Sequence, residues 1–422
     1  MPKTDIGRRL RVLLIALAVL LLAAPMVSAL EGGYESPGNP NYHYLDVDPG
    51  HVPTGVPGEG QPIRVQTTDG GRYEWIVVGP AGEADAVLQA ILEAGGTVIR
   101  TQTLGALGET GQIATFPSRA ARDLARQLIE ANAPNSSLAL HHLYGFAQAG
   151  PGRAARVYAP ELIGDEAPGR CRAGAGVTIG MIDGPVNTEH PALRGVNVTF
   201  ETLVPQGPVP RADHGTAVAV LLVGEDPSGA LAGFARGAQL YAISVFSERE
   251  TLEEASVERI ATAIDRLVGH GVHLINLSLA GPPNEALGRA IAAAAARGVV
   301  MVAASGNERR PVVAWPAAAP EVIAVTAVDA ARRRFRMANT GVELEFSAPG
   351  VDIYAARARG AHYVSGTSFA APIVTALAAR LMTQGRTSTG AIRAALRDGV
   401  EPLGPGARNT DFGYGLVRSG GC

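Results

Sequence analysis

Three short motifs place an aspartate, a histidine and a serine beside small residues. In chain order they are Ile182-Asp183-Gly184, then Asp213-His214-Gly215-Thr216, then residues 365–372, which read Ser-Gly-Thr-Ser-Phe-Ala-Ala-Pro. A serine hydroxyl is a weak nucleophile that needs a base, and the base needs a carboxylate to fix its tautomer. Asp183, His214 and Ser368 therefore predict acyl transfer by a serine hydrolase.

The order Asp, His, Ser along the chain separates the known serine hydrolase architectures. α/β-Hydrolases run Ser, Asp, His, and the chymotrypsin type runs His, Asp, Ser. With these motifs, residues 154–422 resemble the subtilisin-like serine proteases, the peptidase S8 family. The resemblance implies an endopeptidase that hydrolyses protein or peptide substrates through an acyl-enzyme.

The resemblance also assigns roles to single residues. It makes Ser368 the nucleophile, His214 the base and Asp183 its orienting carboxylate. Asn307 follows a strand-like run and is the expected oxyanion donor, together with the Ser368 backbone N–H at a helix N-terminus. The implied substrate-binding residues are Ser278, Leu279, Ala280, Gly281, Ala303, Ala304, Ser305 and Ala314. These small, uncharged walls predict a preference for apolar side chains, with no acidic residue at the pocket.

Other interpretations of the same residues stay open or fail on position. Gly184-Pro185 departs from the family, which has Ser or Thr and then Gly, and this favours a catalytically weakened peptide-binding module as the alternative function. Ser365, three residues before Ser368, is a rival hydroxyl. A nucleotide-binding protein, suggested by Gly174-x-Gly176, is excluded because those glycines precede the strand instead of following it.

The elements that must position these residues form an α/β pattern. Apolar runs alternate with amphipathic helices, which favours a mostly parallel central sheet with helices on both faces and active residues at the strands' carboxyl ends. The predicted strands are 177–182, 239–246, 273–279, 299–304 and 322–328. Thr251-x-x-Glu254 reads as a capping box and predicts a helix from near Thr251, and a second helix runs from near Asn284 to Gly298.

Residues 73–148 carry a different order, βαββαβ, which predicts a small α+β ferredoxin-like plait. Its strands are predicted at 74–78, 97–104, 112–116 and 137–143, with helices at 84–93 and after Ser118. By its position the plait resembles the family's propeptide, which implies a folding assistant and intramolecular inhibitor whose tail lies in the substrate cleft. The alternative is a permanent accessory domain.

The first 29 residues have the pattern of a secretory signal peptide. Four basic residues among the first 11 precede an apolar run of about 13 residues and the small residues at 27–29. A membrane anchor, the competing interpretation, needs a longer run. We therefore expect a secreted or periplasmic protein, with residues 30–72 as a Gly/Pro-rich linker, no membrane contact after signal cleavage and, at a net charge of −3, no nucleic-acid partner.

Two cysteines and one acidic loop bear on disulfide pairing and on calcium binding. Cys171 and Cys422 would pair in an oxidising compartment, and the alternative is two unpaired thiols. Glu225-Asp226 lies in a loop where relatives bind calcium, but two adjacent carboxylates do not make a site of six to eight oxygens. We assign no metal and expect no required cofactor.

Overall fold

A computed structural model describes residues 34–35, 43–44, 64–68, 71–146, 157–165, 174–204, 210–226, 229–249 and 252–420. The predicted signal peptide and both cysteines lie outside these ranges. The chain divides into two units, residues 1–53 and 54–422. Of the first unit, strands β1 (Tyr34–Glu35) and β2 (His43–Tyr44) are described, and they pair antiparallel.

The second unit starts with strand β3 (Arg64–Val65) and the plait. The plait elements are β4 (Trp75–Pro80), a short 3-10 helix (Ala81–Glu83), α1 (Ala84–Glu93), β5 (Thr97–Leu104), β6 (Glu109–Thr115), α2 (Arg119–Asn132) and β7 (Ser137–Leu140). The strands form an antiparallel sheet in the order β5-β6-β4-β7. Helices α1 and α2 cover one face of it with apolar side chains. Ser118 caps α2 as predicted, accepting a hydrogen bond from the Ala121 N–H at 3.1 Å.

The remaining elements build the larger α/β body. In chain order they are β8 (His142–Phe146), α3 (Ala159–Leu162), β9 (Thr178–Asp183), a 3-10 helix (Pro191–Leu193), β10 (Val198–Thr202), α4 (Asp213–Val223), β11 (Gln239–Ser244), β12 (Ser247–Arg249), β13 (Leu252–Ser256), α5 (Val257–Gly269), β14 (Leu274–Leu277), β15 (Leu279–Ala280), α6 (Glu285–Ala296), β16 (Val300–Ala304), β17 (Val322–Val328), β18 (Phe346–Pro349), β19 (Ile353–Ala356), β20 (Ala361–Val364), α7 (Thr367–Thr383) and α8 (Thr389–Asp398).

Seven of these strands form one parallel sheet in the order β10-β11-β9-β14-β16-β17-β18. Both of its faces are buried, because side chains alternate between two apolar clusters. In β16, Val300, Val302 and Ala304 pack with α4 and α7, whereas Met301 and Ala303 pack with α5 and α6. The predicted sheet with helices on both faces is confirmed.

The strand predicted at 137–143 is divided in the structure. Strand β7 ends at Leu140, and β8 leaves the plait sheet to pair antiparallel with β13 on one edge and with β3 and β15 on the other. The strand divides here because the backbone N–H and C=O groups of its second half pair with strands outside the plait sheet.

The predicted helix start near Thr251 is wrong. Thr251 itself lies outside the described residues, but Leu252–Ser256 is strand β13, and α5 begins at Val257. Ser256 is the N-cap and accepts from the Arg259 N–H at 3.4 Å. The capping-box pattern does not start a helix here, because the segment pairs with β8 as a strand. The second helix is confirmed, with Asn284 accepting from the Leu287 N–H at 3.0 Å.

Within the described part of the chain, no helix combines the length and the apolar composition that a membrane span requires.

Candidate active site

Asp183 is the last residue of β9, a strand inside the seven-stranded sheet, and it is fully buried. Its Oδ1 accepts the Gly184 N–H at 2.7 Å and lies 2.7 Å from Nδ1 of His214. The Gly184-Pro185 departure therefore still supplies the carboxylate with a backbone donor. A carboxylate at Nδ1 requires a proton there, which leaves Nε2 of His214 as the nitrogen able to take up a proton.

His214 is the second residue of α4 and is 4% exposed. The helix approaches the Asp183 loop so closely that a Cβ on Gly215 would lie 2.5 Å from the Pro185 carbonyl oxygen and 2.6 Å from that of Gly184. Only glycine fits at this position. The His214 ring packs against the ring of Phe369, with centroids 5.3 Å apart. This contact brings the histidine to the segment that carries Ser368.

Ser368 is the second residue of α7, and its Oγ is buried with no hydrogen-bond partner among the described residues. Its carbonyl oxygen accepts from Ser278 Oγ at 2.8 Å, which ties the serine to the segment before β15. The rival Ser365 is engaged elsewhere, because its Oγ accepts the Asp352 N–H at 2.9 Å. Ser368 is therefore the available hydroxyl of this pair.

Asn307 follows β16 after Gly306, whose φ of +97° lies in the region that favours glycine. Its Oδ1 accepts from both the backbone N–H and the hydroxyl of Thr367 at 3.1 Å. These bonds fix the amide plane. The Nδ2 donor is buried with no partner among the described residues. A buried, oriented and unused donor beside the start of α7 is suited to bind developing negative charge.

The predicted substrate segment, Ser278–Gly281, forms one side of a strand-shaped slot that β8 occupies. Leu279 and Ala280 of β15 pair antiparallel with residues 146 and 145. Gly281 lies under Tyr144, and a Cβ there would be 2.3 Å from the Tyr144 ring. Tyr144 is fully buried and donates its hydroxyl to the Pro282 carbonyl at 2.8 Å. The chain's own segment thus has the extended geometry expected of a bound peptide.

The other predicted wall residues, Ala303, Ala304 and Ser305, are buried at the end of β16. Ala314 lies beside them, and its N–H donates to the Ser305 carbonyl at 2.9 Å.

One acidic side chain, that of Glu308, lies close to these residues. A Cβ on Gly306 would lie 3.0 Å from that of Ala314 and 2.7 Å from Oε2 of Glu308. Glu308 accepts from Asn339 Nδ2 at 2.8 Å. Glu308 directly follows Asn307 in the sequence. The sequence does not show, however, that the loop folds so as to bring the Glu308 carboxylate back beside Gly306.

Sequence reasoning also missed a buried polar network behind Ser368. Asn276 in β14 donates its Nδ2 to Ser278 Oγ at 2.9 Å, and its Oδ1 accepts from Thr375 Oγ1 at 3.0 Å. Satisfied buried networks of this kind fix one arrangement of the elements that share them. This one links β14, the substrate segment and α7.

The plait packs on α5 and α6 through an apolar centre and a polar rim. Ile76, Val78 and Ile113 of the plait sheet share a buried cluster with these helices. At the rim, Arg100 forms a two-point ion pair with Glu258. The Leu107 N–H donates to Asp265 at 2.8 Å.

Two consecutive buried histidines also join the plait to α5 and α6. Nδ1 of His141 lies 3.0 Å from the Glu74 carboxylate, and its Nε2 accepts the Glu258 N–H at the first turn of α5. His142 Nδ1 accepts from Asn284 Nδ2, the cap of α6, at 3.0 Å. Burial, and then the charge of His141, lower the pKa of His142 to about 3. His142 is therefore neutral while the plait is docked.

Within the described ranges, no group of three or more His, Cys, Asp or Glu side chains is arranged to hold a metal ion. That the protein needs no metal stays a prediction, as does the pairing of Cys171 with Cys422.

A parallel sheet between helices, with a hydrogen-bonded Asp–His pair and a buried serine at a helix N-terminus, is the arrangement of a serine hydrolase with the residue order Asp, His, Ser. A sequence profile of the subtilase family, peptidase S8, matches residues 174–415. The chain therefore belongs to the subtilase family and is a serine-type endopeptidase.

Known subtilases align with most of their own length. Subtilisin DY of Bacillus licheniformis is 31% identical over 61% of this chain and 95% of its own. Subtilisin Savinase of Lederbergia lenta is 33% identical over 65% of this chain and 98% of its own. Among solved structures, the Prenylagaramide maturation protease PagA is 26% identical with a TM-score of 0.52, covering 61% of this chain and 95% of its own. These similarities confirm the predicted subtilisin-like identity and fold.

Proposed function

We propose that this protein is a secreted serine endopeptidase that is made as a precursor and inhibited by its own plait. The carrying observation is the 2.7 Å contact between Asp183 Oδ1 and His214 Nδ1, next to a helix whose second residue is the buried Ser368. No cofactor is needed in this scheme, because a serine and a histidine supply the nucleophile and the proton transfer.

In the proposed reaction, Ser368 Oγ attacks the scissile carbonyl while Nε2 of His214 takes its proton. Asp183 holds the imidazole and stabilises the imidazolium. The amine leaves with that proton, and water then hydrolyses the acyl-enzyme by the same base. The negative charge of the tetrahedral intermediate is held by Asn307 Nδ2 and the Ser368 N–H. The fixed Asn307 amide supports this assignment, since its carbonyl oxygen is already engaged by Thr367.

For the plait, residues 73–148, we propose the role of propeptide and inhibitor. Strand β8 fills the slot between β13 and β15, and a substrate could not enter the slot while it is occupied. Because Leu279 pairs with residue 146 and Ser278 is bonded to Ser368, the peptide bonds just beyond Phe146 are those we expect to be cut. The permanent accessory domain remains the alternative.

For substrates, we propose extended protein segments with apolar side chains in the pocket of Ala303–Ser305 and Ala314. Gly281 leaves room for an aromatic ring further along the slot, as Tyr144 illustrates. The Glu308 carboxylate is a reason to test basic side chains as well, and a cleavage profile from a peptide library measures both preferences.

The central test is covalent labelling by a fluorophosphonate probe. We expect the wild-type protein to be labelled, and Ser368→Ala to lose labelling and lower peptide hydrolysis about 10⁴-fold or more. Ser365→Ala is the matched control and should keep both. Wild-type protein that binds peptides but is neither labelled nor active would favour the peptide-binding module instead.

N-terminal sequencing tests the precursor model. Active protein should begin a few residues beyond Phe146, whereas Ser368→Ala should retain the plait and begin near Leu30. An active wild-type chain that still begins near Leu30 would overturn the propeptide assignment while leaving the protease assignment intact.

A further inference from the structure

One hairpin turn contacts the loop after Asp183 and the helix that carries His214, and it is continuous with the segment that carries Ser368. Strands β19 and β20 pair antiparallel and are joined by residues 357–360, a turn closed by the Arg357 N–H and the Gly360 carbonyl at 3.0 Å. Strand β20 ends at Val364, three residues before α7 begins at Thr367. The turn is therefore continuous with the segment that presents Ser368.

The first contact is with the helix of the base. Asp213 is the first residue of α4 and directly precedes His214. Its Oδ1 accepts the Ala358 N–H at 2.9 Å, and its Oδ2 accepts from the Arg357 guanidinium at 2.9 Å. One carboxylate thus holds both a backbone and a side-chain donor of the turn.

The other contacts are with the loop that follows Asp183. Asn187 donates its Nδ2 to the Ala358 carbonyl at 2.7 Å, and its own N–H donates to Thr216 Oγ1 at 2.9 Å. The ring Nε2 of His190 lies 3.0 Å from the Gly360 carbonyl oxygen. Three elements therefore meet at this turn: the loop after Asp183, helix α4 with His214, and the β19–β20 hairpin that leads to Ser368.

Asp213 is held in its ionised form, which favours its contacts with Arg357 and Ala358. Burial works to raise the pKa of this carboxyl, but the Ala358 amide and the Arg357 guanidinium outweigh it and the pKa is lowered. The side chains of Arg357 and Asp213 are 42% and 29% exposed. Exposed ion pairs add little to folding stability, so stability alone is a weak reason for this arrangement.

We propose that Asp213 and Arg357 form a positioning clamp that fixes the start of α4, and with it His214, against the hairpin that presents Ser368. Proton transfer between a base and a nucleophile is sensitive to small displacements, and a misplacement of about 1 Å can lower a rate about 10²-fold. The clamp acts through His214 and does not touch substrate. This inference rests on the proposed roles of His214 and Ser368.

The test is steady-state kinetics on processed Asp213→Ala, Arg357→Met and Arg357→Lys proteins. We expect the first two to lower kcat about tenfold or more with KM changed less than twofold, and Arg357→Lys to recover part of the loss. The matched control is Asp329→Ala. Asp329 likewise accepts a backbone N–H, that of Arg333 at 2.9 Å, and pairs with the Arg333 guanidinium at 2.7 Å, but contacts neither α4 nor the hairpin through these bonds.

A kcat for Arg357→Met within twofold of wild type and of the control would overturn the clamp. If Asp213→Ala does not fold, Arg357→Met decides, since it changes only a partly exposed side chain. A wild-type protein whose activity does not depend on Ser368 would overturn the proposed function instead, and the two failures are thereby distinguished.

Discussion

The two helical layers on opposite faces of the seven-stranded sheet are built differently. Every residue of α4 after Asp213 is buried, and so is nearly all of α7, from Thr367 to Arg380. Helices α5 and α6 are apolar toward the sheet, but their outer faces meet the plait partly through ion pairs and histidine contacts. The layer that carries His214 and Ser368 is enclosed by its own domain, whereas the other layer is covered by the plait, which under the proposed function is released.

Of the changes that compare the two layers, a substitution of Asn307 should have the largest effect, and it should act on the chemistry without changing the docking of the plait. Asn307→Ala removes the oriented donor next to α7, and we expect kcat to fall about 10²–10³-fold with little change in KM. Docking of the plait should be unaffected because the hydrogen bonds of Asn307 join it to Thr367 of α7, and not to α5 or α6. Kinetics of the processed protein measure the first effect. A fall of less than threefold would remove Asn307 from the oxyanion site.

A second, smaller effect should come from acid and act on the docking of the plait. His142 is neutral in the docked state, where its pKa is about 3, and an exposed histidine titrates near 6.5. A lowered pKa means that protonation favours release, so docking is strongest above about pH 6.5 and weakens as pH falls below it. Between pH 7 and 5 the opening constant of the plait should rise more than tenfold.

Hydrogen exchange in the uncleaved Ser368→Ala chain measures this opening. The Glu258 amide, which donates to His141, reports on the interface, and the Ile323 amide in β17 serves as the internal reference after correction for intrinsic exchange rates. His142→Gln is the matched variant, since its side-chain oxygen can still accept from Asn284 but cannot titrate. Equal acid sensitivity in the two proteins would contradict the assignment to His142.

The smallest effect is expected at the exposed rim. Arg100→Met removes the ion pair with Glu258, in which the Arg100 side chain is 42% exposed. Exposed pairs contribute about 1 kcal/mol or less, so the opening constant should rise no more than about fivefold. Arg332→Met, which breaks a similarly exposed pair with Glu401, is the control and should leave the Glu258 amide unchanged. A much larger rise would mean that the polar rim outweighs the apolar centre.

Local pattern was enough to predict much of this architecture. Strand β17 occupies the predicted residues 322–328 and α1 the predicted residues 84–93, because hydrophobic periodicity and flanking glycines act within a few residues. The three motifs identified the family for a similar reason, since each is short and contiguous.

What the sequence did not disclose depends on distant partners. Strand β13 forms because β8 lies beside it, more than 100 residues earlier in the chain. The bond between Asp213 and Arg357 spans 144 positions. Glu308 reaches the pocket region through a loop whose course no local rule determines. Such contacts exist only after the topology has been chosen.

The pairing of β8 on both of its edges has a consequence for selectivity. Backbone N–H and C=O groups are the same in every residue except proline. A groove that hydrogen-bonds both edges of a strand therefore selects for an extended backbone and not for particular side chains. Once vacated, it would accept almost any unfolded stretch of polypeptide. Selectivity between polypeptides then depends on the few positions where a side chain must point into the protein, and on whether a segment can adopt an extended conformation.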